Sequence, residues 1–177
     1  MKAYMTLVAL LGVVTSTFAV AVAAPAESTP EPTYDWVVLE SGYNTPVTPY
    51  ANETAVVEAR DNPQAIMCYN KGRAVQRAAL TSSIDHFCNT KAIGRTLSSG
   101  QNLWTRYLDN FSGITVLVFM EMTNGCTWTV DSACNNNLRQ PVDKCNTGGE
   151  NGKQGGEMWD LCAHYRIDPG DRNSNDY

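Results

Sequence analysis

The positions of its six cysteines constrain this sequence more than anything else in it. Cys68, Cys88, Cys126, Cys134, Cys145 and Cys162 all lie in the last two thirds of the 177 residues. An even count in a short domain reads as a disulfide framework, provided the chain enters an oxidising compartment. Six cysteines allow 15 pairings, and spacing does not choose among them. The expectation is that one bridge ties the first helix to the sheet. A stapled C-terminal domain therefore follows a segment of different character.

The start of the chain supports the oxidising compartment. Lys2 is followed by an apolar run from Leu7 to Val22, then Ala21-Val22-Ala23-Ala24 and Pro25. A charged start, an apolar middle and a small-residue end make residues 1–24 a secretory signal peptide. Thr15, Ser16 and Thr17 interrupt the run, which is short of the ~20 apolar residues of a membrane span. The expected location is outside the cell, with no membrane partner.

Residues 25–60 hold five of the eight prolines, and six acids (Glu27, Glu31, Asp35, Glu40, Glu53, Glu58) against Arg60 alone. This composition argues against a packed core. Val57-Glu58-Ala59-Arg60 resembles the processing sites of fungal secreted proteins, so the segment is expected to be a pro-peptide or a flexible arm. Tyr34 to Leu39 could instead pair as an edge strand. Asn52-Glu53-Thr54 and Asn110-Phe111-Ser112 are glycosylation sequons in a secreted chain. Most of the net charge of −5 resides in 25–60. The cysteine domain, 61–170 with a polar tail at 171–177, is near neutral. It lacks the basic face of a nucleic-acid binder.

Within that domain, Arg73–Phe87 has apolar residues at helical spacing: Leu80, Ile84, Phe87 and Cys88. Leu103–Leu108 alternates as a strand. Ile114–Met122 is apolar on both faces, which predicts layers above and below the sheet. Asn124-Gly125 suits a type I′ hairpin turn into Cys126–Val130. A short helix is expected from Asp131 or Ser132 to Gln140, stopped by Pro141. Trp159–Ile167 alternates as one strand, with Trp159 and Leu161 on one side and His164 and Arg166 on the other. Asp168-Pro169-Gly170 then reads as a turn. The expected fold class is α+β: about four antiparallel strands with helices on both faces, an α/β/α sandwich.

The motifs exclude more than they assign. The run Thr147–Gly156 is not a phosphate loop, because Thr147 stands where its first glycine is needed and Gln154 where Ser or Thr is needed. Its polar groups, Asn146, Glu150, Asn151, Lys153 and Gln154, suit a ligand-binding loop instead. His86 and His164 have no ligand spacing, and disulfide cysteines cannot hold zinc, so neither metal nor cofactor is expected. A ribonuclease-type hydrolase would need His164, Arg166 and Glu121 in one cleft. An exposed tryptophan, Trp128 or Trp159, could stack on a sugar ring.

The order of several short motifs carries a resemblance. Met67-Cys68-Tyr69-Asn70, Phe87-Cys88, Asn124-Gly125-Cys126-Thr127-Trp128, Cys134 with Leu138, Val142-Asp143-Lys144-Cys145-Asn146, Gly155-Gly156 and Tyr165-Arg166-Ile167-Asp168-Pro169-Gly170 follow one another. This layout resembles a family of small secreted fungal proteins and is similar to the glycan-binding proteins first known from mushrooms. It covers about residues 67–170. The resemblance implies an α/β/α sandwich around a four-stranded antiparallel sheet, and carbohydrate binding without catalysis. The chain departs from that pattern in its long leader and in having no cysteine after Asp168. The functional expectation is a non-catalytic lectin-like protein for extracellular or cell-wall glycans. The alternative is a fungal secreted effector or toxin that acts on a host protein or induces a host response in virulence.

Overall fold

The computed structural model describes residues 32–44 and 64–172. The expected signal peptide, the Val57–Arg60 motif, Asn52 and residues 173–177 lie outside them. A six-stranded antiparallel sheet organises the fold. Its strands are β1 (Trp36–Tyr43), β2 (Gln64–Cys68), β4 (Asn102–Asp109), β5 (Ile114–Met122), β7 (Gly156–Asp160) and β8 (Ala163–Asp171), in the order β1-β4-β5-β8-β7-β2. A second sheet pairs the short strands β3 (Thr96–Ser98) and β6 (Thr127–Thr129). The helices are α1 (Arg77–Phe87), continued by a π-helical turn at Cys88–Ala92, and α2 (Ala133–Lys144).

The α/β/α sandwich is not what forms. The two helices share one face of the sheet, where Leu80, Ile84 and Phe87 of α1 and Leu138 and Val142 of α2 join one core with Tyr107, Val116, Val118, Met120, Met158, Tyr165 and Ile167. The expectation of a second helical layer came from Leu117 and Phe119 on the opposite face of β5. Both are buried, yet neither belongs to that core. Three of their four register neighbours are long side chains: Trp104 and Arg166 flank Phe119, and Arg106 and the shorter Asp168 flank Leu117. Apolarity on both faces here marks a strand with large neighbours, which sequence periodicity does not separate from a strand between helices.

Three other expectations change. Trp159–Ile167 is not one strand but the β7–β8 hairpin. Asp160 Oδ1 accepts the backbone N–H groups of Cys162 (2.7 Å) and Ala163 (2.6 Å), closing the turn, and Leu161 at its tip is 72% exposed. Trp159 consequently lies opposite His164. Asn124 and Gly125 do have the positive φ values of a type I′ turn, 53° and 78°. The strand that follows pairs with β3, however, and not back onto β5. Pro141 does not stop α2, which continues to Lys144. A proline inside a helix costs roughly 3 kcal/mol; burial of Pro141 and Val142 and the bond from Cys145 to Cys68 offset it.

The edge strand expected at Tyr34–Leu39 is present as β1, with Trp36 opposite Asp109 and Tyr43 opposite Leu103. The β8 strand runs through Pro169 instead of turning there. β7 meets β8 only as far as Gly156 opposite Ile167, so Pro169 lies past the end of the β7–β8 ladder. A residue without an N–H is tolerated in such a place.

All six cysteines are bonded. Cys68–Cys145 ties β2 to the end of α2, Cys88–Cys134 ties the end of α1 to α2, and Cys126–Cys162 ties the Asn124-Gly125 turn to the β7–β8 turn. The first helix is thus stapled to the second helix and not to the sheet. No helix among the described residues is long and apolar enough to cross a membrane.

Candidate functional site

The sheet face opposite the helices carries most of the chemistry. In an antiparallel sheet, register partners share a face. One row across it reads Trp159, His164, Glu121, Asn102, and the next reads Glu157, Arg166, Phe119, Trp104. Alternation along β7 and β8 places Glu157 beside Trp159, and His164 beside Arg166 and Asp168, two residues apart on the same side. Tyr69 joins them from the end of β2.

Glu157 is the centre of this cluster. Its carboxylate accepts a hydrogen bond from the Tyr69 hydroxyl and pairs through Oε2 with His164 Nε2 at 3.0 Å. Arg166 Nε lies 3.9 Å from its other oxygen, while Arg166 Nη2 donates to Asp168 Oδ2 at 2.5 Å. The guanidinium also sits 5.7 Å from the centre of the Tyr69 ring. The side chains are well shielded, with 14% of Glu157, 18% of His164 and 10% of Arg166 exposed.

This shielding shifts the acidities. Burial acts to raise the Glu157 carboxyl, but hydrogen bonds from His164 and Tyr69, and the charges of His164 and Arg166, outweigh it and hold the group below its ordinary value. Burial pushes the Tyr69 phenol upward; Arg166 opposes this, and the negative charges of Glu157 and Asp168 reinforce it. Burial disfavours the Arg166 cation, but Tyr69, Asp168 and Glu157 more than compensate, so it stays protonated. The carboxylate, phenol and guanidinium are thereby fixed in charge and orientation.

An aromatic platform adjoins this network. The Trp159 indole stacks on the His164 imidazole, centroids 4.6 Å apart and planes 3° from parallel. Phe119 meets the same imidazole edge-on at 5.4 Å. Trp159 itself is half-buried.

The site residues expected from sequence fall in three places. Trp159 and Arg166 meet on this face. Trp128 lies on β6, half-buried and packed against the helix-side core. Most of the 146–156 loop fastens itself. Lys153 is buried, and its Nζ donates to the carbonyls of Cys145 and Asn146, both at 3.1 Å. Asn146 and Gln154 bond to each other. Glu150 and Asn151 remain exposed. Asn151 borders a cavity of about 490 Å³ that Tyr34, Val75 and Phe111 also line. Asn110 is exposed on the β4–β5 turn, with its side-chain amide donating to Asp35 at 3.0 Å.

Sequence reasoning missed Glu157, Tyr69 and Asp168. It set Glu121 beside His164 and Arg166. Glu121 is indeed opposite His164 across β5 and β8, but the ring nitrogen of His164 is engaged by Glu157 from the other side. The hairpin turn was the missing signal, since it brings β7 against β8. Among the described residues no cluster of His, Cys, Asp and Glu could hold a metal ion. No protein family, curated protein or solved structure matches the chain.

Proposed function

We propose that this is a secreted, non-catalytic saccharide-binding protein acting outside the cell, with its binding surface on the sheet face opposite the helices. The observation that carries the reading is the Trp159–His164 stack set beside Glu157 and Arg166. Sugars present apolar C–H faces and hydroxyl edges together. A flat indole suits the first, and a carboxylate and a guanidinium held in fixed directions suit the second. Two carboxylates, Glu157 and Asp168, stand against the single guanidinium of Arg166, a balance that disfavours an anionic ligand such as a phosphodiester. The Glu157 carboxylate is itself committed to Tyr69 and His164. Three disulfides and the leader sequence favour an oxidising, extracellular setting.

The reading rests on this geometry and not on the family resemblance, whose implied sandwich is absent. A glycan array probed with the oxidised chain tests it. A saturable signal that Trp159→Ala abolishes supports the reading, and a blank array contradicts it.

A further inference from the structure

β1 stands apart from the rest of the sheet in how it is held. All six cysteines lie after it, so no disulfide reaches it. Its only covalent route to β2 runs through residues 45–63. Yet it makes a register of seven residue pairs with β4, from Trp36 opposite Asp109 to Tyr43 opposite Leu103. Its side chains divide sharply. Val37, Val38, Leu39 and Tyr43 are each more than a third exposed, so most of the strand adds little to the core.

The anchoring is concentrated at the N-terminal end. Trp36 Nε1 donates to Ser82 Oγ of α1 at 2.9 Å, and its ring meets Tyr107 edge-on at 6.1 Å and stacks on Tyr34 at 5.4 Å. Asp35 is clasped by the β4–β5 turn. Its N–H donates to Asp109 Oδ1 (3.0 Å), its carbonyl accepts Asn110 N–H (3.2 Å), and its carboxylate accepts the Asn110 amide (3.0 Å). At the other end Asn44 N–H donates to the Asn102 carbonyl at 3.0 Å. A side-chain anchor followed by a run of main-chain hydrogen bonds is how an extended peptide adds to a sheet edge.

We infer that the outer edge of β4, with the contacts that Ser82 and Tyr107 make to Trp36, is a peptide-binding edge filled by the chain's own residues 34–44. Cleavage at the Val57–Arg60 motif would then yield a two-chain protein and would not discard the N-terminal segment. The retained strand caps an edge that would otherwise offer unpaired backbone groups to another chain.

The test uses the full oxidised chain with residues 57–60 replaced by the recognition sequence of a site-specific protease, cut to completion. The cut protein is passed through gel filtration and examined by native mass spectrometry. The inference expects both pieces in one species with a near-unchanged circular dichroism spectrum. It also expects Trp36→Ala to speed release of the cut N-terminal piece at least tenfold, and Leu39→Thr, at an exposed position, to leave release unchanged. Circular dichroism of the uncut Trp36→Ala chain separates loss of anchoring from loss of folding. Should that variant not fold, Asp35→Ala, which removes the Asn110 amide contact, is expected to speed release as well. Separation of the two pieces of the otherwise unaltered chain on gel filtration, with the larger piece still folded, would overturn the inference.

Discussion

The imidazole of His164 lies flat against the indole of Trp159, 4.6 Å between centroids, while its Nε2 meets Glu157 at 3.0 Å. His164 therefore links an aromatic surface to a polar network, and the two halves of the site can be separated by mutation. Aromatic pairs of this kind contribute roughly 0.5–1.5 kcal/mol beyond their burial. Trp159→Ala should lower the melting temperature by only a few degrees while weakening saccharide binding tenfold or more. Thermal melts and glycan titrations on one preparation check this. Equal loss in both would mean that Trp159 is structural alone.

The Glu157 carboxyl gives the fold an acid sensitivity with a defined sign. Its folded-state acidity lies below the ordinary value of 4.5. A depressed carboxyl contributes stability that is fully present above its unfolded pKa and is lost as pH falls through the folded one. Stability should therefore decline on acidification from about pH 5 downward. Glu157→Gln should flatten part of that decline. Asp109, also held low against its burial by hydrogen bonds from Ser112, Asp35 and Phe111, keeps the remainder. Urea midpoints measured across that range for both proteins decide it, and identical slopes would contradict the assignment.

Lys153 separates stability from binding in the opposite direction to Trp159. Its ammonium satisfies two carbonyls at the end of α2, and a buried acceptor left unpaired costs about 1–3 kcal/mol. Lys153→Ala should lower stability by about 2 kcal/mol or more. Saccharide affinity should be unchanged at temperatures where the variant is folded. A selective loss of affinity would return the 146–156 loop to the binding surface.

Gly155, just before β7, packs closely against the backbone of β8. Its φ is +78°, and a Cβ there would stand 2.1 Å from the carbonyl oxygen of Ile167. The contact is with backbone and cannot be relieved by turning a side chain. Gly155→Ala should cost more than about 3 kcal/mol and sharply reduce the yield of folded protein. A normal melt for this variant would show that the contact is loose.

The three bridges should not be equal. Loop closure alone predicts about 4 kcal/mol for each, because the enclosed lengths of 46, 77 and 36 residues enter only logarithmically. Cys88 and Cys134 are also wholly buried between α1 and α2, so replacing that pair disturbs packing too. Removing Cys88–Cys134 should destabilise more than removing Cys126–Cys162, by denaturant midpoints of the two double-alanine variants. The reverse order would contradict this.

What the sequence made legible was local. The alternation of Ile114–Met122 defined β5 to the residue, and Leu80, Ile84 and Phe87 defined the buried stripe of α1. The paired positive φ at Asn124-Gly125 followed from glycine and asparagine chemistry. The misreadings arose where a long-range partner decides the outcome. Asp160 capturing two backbone N–H groups is a turn signal readable in principle, but continuous alternation through Leu161 concealed it. That single turn hid Glu157 and moved Trp159 to the side of His164. Of the site, Trp159, His164 and Arg166 were legible as residue types. Their meeting with Tyr69 depends on β2 pairing with β7, across nearly ninety residues of chain.

The most direct test of the central claim is a glycan array probed with the oxidised full chain, with Trp159→Ala alongside. The account predicts saturable binding to neutral saccharides that the variant loses while remaining folded. An array blank for the folded, oxidised protein, or binding that Trp159→Ala leaves intact, would contradict it.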